Sequence, residues 1–147
     1  MSTAQHEKSI LTEPYPGEQL AVERRLEDIM SAARTRAVDK LESYHAFGPK
    51  FTKFDDFEPL VRQDGETTRR LEREAILGVK EFDPRVVDLK VDVFGPAAVT
   101  TFVMDYRVVD DEAQRHSFRA RATMVLAKEE SEWLIVHEHF SPFVANS

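Results

Sequence analysis

The tripeptide His137-Glu138-His139 is the most conspicuous group of residues in this chain that could do chemistry. Two histidines at positions i and i+2 of a β-strand point to the same side of a sheet, where their ring nitrogens could bind a metal ion. Glu138 points to the other side, among apolar residues. A carboxyl group shielded from water either holds its proton or pairs with a cation. Glu138 is therefore a candidate acid or base, and the alternative is an ion pair with a lysine or arginine of a helix.

A pair of adjacent carboxylates, Asp55 and Asp56, follows a short predicted strand. Paired carboxylates can bind a metal ion or act as a general base, but neighbouring strand residues point to opposite faces. We expect one of the two to reach the interior, and Asp55 is the second candidate for proton transfer. Tyr44-His45, near the end of a predicted helix, either faces the same interior or forms a core tyrosine beside a surface histidine.

The composition excludes several other kinds of site. The chain has no cysteine, which excludes disulfides, thiolate catalysis and cysteine metal sites. Its 5 glycines are isolated, and neither a phosphate-binding loop nor a Gly-x-Ser-x-Gly turn is present. The net charge of −7 has the wrong sign for sequence-independent binding of nucleic acid. We expect no cofactor and no bound metal.

The 147 residues are enough for one domain with a substantial core. Residues 1–17 are interpreted as a polar, poorly ordered lead and residues 18–147 as a single domain. No stretch approaches 18 consecutive apolar residues, and residues 1–13 lack the apolar segment of a secretory signal. We therefore expect a cytoplasmic protein with no membrane partner.

The first half of the chain predicts three helices. Apolar residues recur at spacings of three and four from Glu18 to about Arg36, and a second helix ends before Gly48-Pro49. A third helix is predicted to begin at a cap formed by Thr67 or Thr68 and to end at Asp83-Pro84. Its apolar stripe comprises Leu71, Ala75, Val79 and Phe82.

After Pro84 the spacing of apolar residues changes to two, which is typical of half-buried strands. The first of these strands alternates at Val87, Leu89, Val91 and Val93, and three longer ones cover 97–109, 114–128 and 132–141. Short connections make them antiparallel. With Phe51–Asp55 as an additional short strand, the pattern predicts an α+β fold, in which three N-terminal helices pack on a curved antiparallel sheet of four to six strands.

Strand parity assigns residues to the two faces of this sheet. Folding the last hairpin about Glu129-Glu130-Ser131 places Ala127 opposite Trp133 and Arg121 opposite His139. The outer face then carries Trp133, Ile135 and a polar cluster of Arg121, Thr123, His137 and His139. Because the positive charge of Arg121 would repel a divalent metal ion, a polar network is favoured over a metal site on this face. We expect a homodimer through the Trp133 and Ile135 face.

The inner face of the sheet predicts a cavity beneath the helices for a small apolar ligand. The residues predicted to line it are Tyr44, Phe54, Phe102, Met104, Met124, Val136 and Phe140. Asp55 and Glu138 would supply its polar groups.

The closing strand, Trp133-Leu-Ile-Val-His137-Glu-His139-Phe-Ser141, resembles that of SnoaL-like domains of the nuclear transport factor 2-like superfamily. The same pattern occurs in the association domain of calcium/calmodulin-dependent kinase II. The resemblance covers about Glu18 to Phe143. It implies a cone-shaped, cystatin-like fold, a pocket between sheet and helices, and commonly a homodimer through the outer sheet face. Members include polyketide cyclases, ketosteroid isomerase, dehydratases, assembly hubs and proteins of unknown function.

Carried over residue by residue, the resemblance argues against two of these activities. The catalytic base of the isomerase falls near Asp55, but its oxyanion-hole positions fall near Ile29 and Ala122, which cannot donate a hydrogen bond. Two cavity arginines of the kinase association domain fall at Met124 and Phe140, so recognition of an anionic peptide is not implied.

Two functions follow from the sequence. The first is a protein that binds a small hydrophobic molecule and performs cofactor-independent acid–base catalysis of the isomerase, cyclase or dehydratase type, with Asp55 and Glu138 as catalytic residues. The alternative is a non-catalytic, homo-oligomeric binding or assembly module. The sequence leaves open whether the chain is an enzyme.

Overall fold

Three helices precede most of a five-stranded sheet in the computed structural model of the chain, which describes residues 9–143. The helices are α1 (Pro16–Arg34), α2 (Val38–Ser43) and α3 (Gly65–Leu77). The strands are β1 (Thr52–Phe54), β2 (Glu81–Phe94), β3 (Ala97–Val109), β4 (Arg115–Glu129) and β5 (Glu132–Pro142). The predicted α+β fold is confirmed.

The strands form one unclosed, curved sheet in the order β1-β5-β4-β3-β2. Its pairs are antiparallel except that β1 runs parallel to β5. Residues 1–8 of the predicted polar lead lie outside the described residues, and the domain boundary at residue 17 stays a prediction. No helix within residues 9–143 is long and apolar enough to cross a bilayer. The expected cytoplasmic location also stays a prediction.

Helix α1 covers the inner face of the sheet with the apolar stripe that its spacing predicts. Val22, Leu26, Ile29, Met30 and Ala33 are buried, and the helix packs against β2. Each large aliphatic side chain buried in this way contributes about 1.5–3 kcal/mol to stability. The sheet contributes the other half of the core, including Phe102, Met124, Leu126, Ile135 and Phe140.

Helix α3 is shorter than predicted and is capped by a different residue. The Asp64 carboxylate accepts a hydrogen bond from the Thr67 backbone N–H at 2.9 Å, so Asp64 is the cap rather than Thr67 or Thr68. The helix ends at Leu77 with Gly78 as its C-cap, and Phe82 and Pro84 belong to β2. Pro84 is tolerated in β2 because this strand is at the edge of the sheet, where a missing N–H costs little.

The N-terminus of α3 lies directly against the chain that follows α2. A side chain at Gly65 would place its Cβ 2.6 Å from the Phe47 carbonyl oxygen, so only glycine permits this approach. Thr68 and Ile76 are buried along the same face of the helix, whereas Ala75 of the predicted stripe is exposed. Glu72 lies one turn from both Thr68 and Ile76 and is therefore on the inward side of the helix.

Two irregularities change which side chains face the core. In β2, Asp88 and Leu89 lie between the pairs Val87–Val103 and Lys90–Thr101, so two residues oppose one residue of β3. Val87 and Leu89 are consequently 41% and 39% exposed, while Val91 and Val93 are buried. The prediction that all four share one face is wrong.

The second irregularity lies in β5 at Val136. Leu126 pairs with Ile135 but Val125 pairs with His137, which leaves Val136 unpaired. Trp133 and Ile135 therefore turn inward, with 2% and 0% exposure, and the prediction that they form the outer face is wrong. The predicted hairpin register is wrong by one residue at its tip, because Trp133 lies opposite Lys128 rather than Ala127.

Candidate functional site

A cavity of about 280 Å³ lies between the inner face of the sheet and the helices. Its walls are mainly apolar, with Ile29, Met30 and Ala33 from α1, and Met104, Met124 and Phe140 from the sheet. Phe57, which is 49% exposed, lies at its edge on the loop after β1. The volume is just below the range of about 300–1,000 Å³ that is usual for ligand pockets.

The structure brings together part of the set of residues that the sequence predicts for this site. Asp55, Met104, Met124, Glu138 and Phe140 line the cavity. The other predicted lining residues lie elsewhere: Tyr44, Phe54, Phe102 and Val136.

Each of these four residues lies outside the cavity lining for a different physical reason. The Tyr44 ring packs beneath the Arg25 guanidinium, with its centroid 4.5 Å away. Phe54 points outward from β1 beside His139, with ring centroids 5.4 Å apart. Phe102 is buried in the sheet opposite the irregularity of β2, and Val136 is the unpaired residue of β5.

His45 is buried at the end of α2 and anchors one side of the site. Its backbone is fixed to β5, because the N–H of Ile135 donates to the Tyr44 carbonyl and the N–H of Ala46 donates to that of Ile135, both at 2.9 Å. His45 Nδ1 donates to the Leu41 carbonyl at 2.9 Å, and Nε2 donates to Glu138 Oε1 at 2.5 Å. The alternative of a surface histidine is therefore wrong.

Lys53 approaches Glu138 from the other side, because β1 and β5 pair in parallel with these two residues in register. Lys53 Nζ lies 3.4 Å from Glu138 Oε2 and 3.6 Å from Asp55 Oδ2. Its side chain is only 9% exposed. Each carboxylate oxygen of Glu138 therefore has a cation beside it. Glu138 is thus ion-paired, which was the alternative to its being a free acid or base, but its lysine partner belongs to a strand rather than to a helix.

Glu72 adds a third carboxyl group, which the sequence analysis missed. Its Oε2 lies 3.8 Å from His45 Nε2, and its Oε1 is buried without a hydrogen-bond partner among the described residues. The signal in the sequence is the i, i+4 spacing of Thr68, Glu72 and Ile76, which places a carboxylate in the middle of a buried helix face.

The charges of His45, Lys53 and Glu138 stabilise one another. Burial alone would lower the pKa of His45, but the Glu72 and Glu138 carboxylates outweigh it and raise this pKa to about 9. Burial alone would raise the pKa of Glu138, but Lys53 and His45 hold it at about 2. Burial also opposes the charge of Lys53, but Glu138, Glu72 and Asp55 hold its pKa above the usual range. All three groups are ionised at neutral pH.

Glu72 behaves differently from Glu138. Burial is the largest influence on its carboxyl group and raises its pKa, and the neighbouring Glu138 carboxylate acts in the same direction. The positive charges of His45 and Lys53 only partly offset this effect. Glu72 is therefore the carboxyl group of the cluster that takes up a proton most readily.

A second group that can exchange a proton lies on the loop after β1. Asp56 Oδ2 accepts a hydrogen bond from the Tyr106 hydroxyl at 3.3 Å, and both residues line the cavity. Burial, together with a hydrogen bond to Asp55, raises the pKa of Asp56 to about 6. The Tyr106 ring packs against Phe82 and Phe118, with centroids 5.9 and 5.3 Å away. Only one of Asp55 and Asp56 was expected to reach the interior, but both line the cavity, and Asp56 was not among the residues predicted for proton transfer.

His45, Glu72 and Glu138 bring three potential metal-ligand atoms within 4.8 Å of one another. The donor set does not fit a divalent ion well. Lys53 Nζ lies beside Glu138, and both ring nitrogens of His45 carry protons that they donate. A metal ion would have to displace the His45 proton next to an ammonium group.

The polar cluster predicted for the outer sheet face is only partly assembled. Arg121, Thr123 and His139 line one open groove on that face. Thr123 lies opposite His139, but Arg121 lies opposite Ser141. His137 Nδ1 instead shares a hydrogen bond of 2.8 Å with the Thr52 hydroxyl. This groove shares no lining residue with the cavity.

Comparison with known proteins identifies a family and a fold. The family model described as a SnoaL-like domain matches residues 22–145. No curated protein matches the chain.

Three solved structures illustrate the fold. A candidate dehydratase of the nuclear transport factor 2-like family from Streptomyces avermitilis is 16% identical over 88% of this chain and 100% of its own, with a TM-score of 0.77. A nuclear transport factor 2-like protein of unknown function from Pseudomonas putida is 20% identical over 90% and 92%, with a TM-score of 0.76. The association domain of calcium/calmodulin-dependent protein kinase II from C. elegans is 16% identical over 85% and 95%, with a TM-score of 0.70.

At these identities the structural likeness shows the fold alone, and the fold carries many unrelated activities. The helices, the curved sheet and the cavity beneath α1 agree with the match to the family model, which spans most of the chain. This chain belongs to the SnoaL-like domain family.

Proposed function

We propose that this chain binds a small, mainly apolar molecule in the cavity beneath its helices and transfers protons on it without a cofactor. The observation that carries the proposal is the coincidence of an apolar cavity with two carboxyl groups of raised pKa, Glu72 and Asp56. A carboxyl group whose pKa is raised can hold a proton and release it again, which general acid–base catalysis requires.

Isomerisation, cyclisation and dehydration share a requirement that two such groups can meet. One group removes a proton from carbon or oxygen, and another delivers a proton elsewhere on the same molecule. Glu72 and the hydrogen-bonded pair of Asp56 and Tyr106 both line the cavity and would divide these roles. The word dehydratase in the names of two structural neighbours also supports this class of reaction.

Glu138 and Asp55, the candidates from the sequence, have supporting roles in this proposal. A carboxylate with a pKa of about 2 is a weak base, so Glu138 holds His45 and Lys53 in place instead of accepting a proton. Asp55 lies 3.6 Å from Lys53 and acts on the pKa of Asp56. Both therefore set the electrostatics of the cavity.

Methionine methyl groups provide a direct test of binding, because Met30, Met104 and Met124 all line the cavity. We expect titration with 2-naphthol to shift their ¹³C-methyl NMR signals. Ala33→Leu places extra volume in the cavity and should abolish the shifts. Ser31→Leu adds the same side chain on the exposed side of α1 and serves as the control. Unchanged methyl signals in the wild type would contradict a ligand-binding cavity.

Proton transfer is tested separately with a simple carbon acid. We expect the chain to accelerate deuterium exchange at the α-carbons of 2-indanone in D₂O, and Glu72→Gln to remove the acceleration. Glu74→Gln changes an exposed residue of the same helix and should have no effect. Equal exchange rates with Glu72→Gln and with the wild type would exclude Glu72 as the base.

The alternative function is assembly without catalysis. Its support is the presence of kinase association domains among the structural neighbours, together with Val87, which is exposed on the outer side of β2 opposite Val103. We propose a homodimer through this outer face, now without Trp133 and Ile135, which are buried inside. Light scattering should give twice the 16.9 kDa mass of one chain, and Val87→Lys should return the single-chain mass.

A further inference from the structure

The ionisable side chains that line the cavity contain more acid than base. Among the described lining residues, four carry carboxyl groups, namely Asp55, Asp56, Glu72 and Glu138. Two carry basic groups, His45 and Lys53. Full ionisation would therefore leave two negative charges without a matching positive charge in a space largely removed from water.

The two basic groups are already engaged with particular carboxylates. His45 Nε2 and Lys53 Nζ lie 2.5 and 3.4 Å from the two oxygens of Glu138, and Lys53 also lies 3.6 Å from Asp55. Glu72 is farther from His45, at 3.8 Å, and its Oε1 is a buried atom without a described partner. The surplus of negative charge is thus located at Glu72 and Asp56.

Asp56 has a neutral partner and an acidic neighbour. Its Oδ2 accepts a hydrogen bond from the Tyr106 hydroxyl, and Asp55 lies close enough to raise its pKa. Removal from water without a full counter-charge disfavours a carboxylate, and burial accordingly raises the pKa of both the buried Glu72 and the half-buried Asp56. A positive charge brought by a ligand would reverse this effect.

The apolar part of the lining is also suited to a positive charge. Rings of Phe57, Phe82, Phe118 and Phe140 border the cavity together with Tyr106. The negative faces of aromatic rings attract organic cations, most strongly where water is excluded. The chain contains an example in the same place, because Lys53 Nζ lies 5.1 Å from the centroid of the Phe140 ring.

We propose that the ligand of this cavity is a small organic cation, an amine with an aromatic or aliphatic body, whose ammonium group is neutralised by Glu72 and Asp56. This inference rests on the proposed function, since it names the ligand class of the same cavity.

Ligands of other charge fit less well. An anion would compete with Glu138 for His45 and Lys53 and would leave a buried carboxylate unpaired, which is strongly unfavourable. A neutral molecule would leave Glu72 Oε1 and Asp56 as they are in the unoccupied cavity. Only a cation satisfies the surplus carboxyl groups and keeps the His45, Lys53 and Glu138 network intact.

Three probes of similar size and different charge test the inference by calorimetry at pH 7.5: 2-phenylethylamine, 2-phenylethanol and phenylacetate. We expect the amine to bind the wild type at least about tenfold more tightly than the other two. This comparison needs no variant and does not depend on the folding of a mutant.

Variants then locate the interaction. Glu72→Gln and Asp56→Asn should each weaken amine binding by at least about tenfold while leaving the binding of 2-phenylethanol unchanged. Glu74→Gln is the matched control, because Glu74 lies on the exposed side of α3 and should leave amine binding unaffected.

The outcomes separate this inference from the proposed function. If 2-phenylethanol or phenylacetate binds as tightly as the amine, and Ala33→Leu abolishes that binding, the cavity is a ligand site but not one for cations. Amine affinity that is unchanged by both Glu72→Gln and Asp56→Asn also overturns the inference. If none of the three probes binds or shifts the methionine signals, the inference and the proposed function both fail.

Discussion

Lys53 and Glu138 lie side by side in the parallel pair of β1 and β5, with Nζ 3.4 Å from Oε2 in the interior of the chain. A strand of three residues therefore supplies the cation that keeps a buried carboxylate ionised. Because His45 occupies the other oxygen of the same carboxylate, α2, β1 and β5 are tied together by charge at the floor of the cavity.

Replacing Lys53 by methionine should destabilise the fold by about 3–5 kcal/mol, because the change leaves Glu138 buried with one cation instead of two. Urea unfolding measures the effect. Lys90→Met removes an exposed lysine paired with Asp92 and should change stability by less than about 0.5 kcal/mol. Equal midpoints for the two variants would mean that the buried pair contributes nothing to stability.

The imidazole of His45 should titrate near pH 9 rather than at its ordinary value of 6.5. Burial opposes the charged ring, and the carboxylates of Glu72 and Glu138 overcome it. NMR of the ring carbons, assigned with His45→Gln, measures this pKa. Glu138→Gln removes one of the two carboxylates and should lower the pKa, whereas Glu74→Gln should not. A neutral ring at pH 7 in the wild type would contradict the charged network.

The charges of His45 and Glu138 together should contribute most to stability between about pH 4.5 and 6.5. The pKa of His45 is raised from 6.5 to about 9, so its contribution is complete below pH 6.5 and is lost as the pH rises through 9. The pKa of Glu138 is lowered from 4.5 to about 2, so its contribution is complete above pH 4.5 and is lost as the pH falls towards 2. The pKa of Asp56 is raised from 3.8 to about 6, so the ionisation of this carboxyl group lowers stability as the pH rises through that interval.

His45→Gln isolates the alkaline part of this profile. Between pH 6 and 10 the free energy of unfolding of the wild type should fall by roughly 3 kcal/mol more than that of the variant, since each unit of pKa shift corresponds to about 1.4 kcal/mol. Urea unfolding at closely spaced pH values measures the difference. Parallel profiles for the two proteins would show that His45 does not gain its charge through folding.

Much of the fold could be predicted because local periodicity determines it. The α1 stripe at Val22, Leu26 and Ile29 and the alternation in β3 to β5 reflect burial on one side of a regular element. The side chains whose face was predicted wrongly lie next to the irregularities of β2 and β5. Val136 and the pair Asp88-Leu89 each insert a residue that has no signature in the alternation itself.

The site was harder to predict because it depends on contacts far apart in the chain. Glu138 stood out as a carboxylate among apolar residues, but its partners His45 and Lys53 come from α2 and from a parallel strand whose pairing no hairpin reveals. Glu72 lies among charged residues on α3 and is recognisable only from the buried positions four residues to either side.

The single tryptophan reports the inward turn of β5. Trp133 is 2% exposed, and its indole N–H donates to Glu18 at 2.8 Å. We therefore expect blue-shifted emission that iodide quenches only after unfolding. Trp133→Ala should cost about 3–5 kcal/mol, whereas Leu134→Ala, on the half-buried opposite side, should cost less. Quenching of the folded chain by iodide would place the indole on the outer face.

Added zinc should leave the thermal midpoint of this chain unchanged, although His45, Glu72 and Glu138 place three ligand atoms within 4.8 Å of one another. A bound ion would stabilise the folded state by mass action, but it must first remove a proton from His45, whose pKa is about 9, and accept Lys53 as a neighbour. Differential scanning fluorimetry with excess Zn²⁺ and with EDTA measures the shift. His45→Gln is the control for zinc bound elsewhere. A rise of the midpoint in the wild type that His45→Gln abolishes would establish a metal site and overturn the assignment of this cluster to proton transfer.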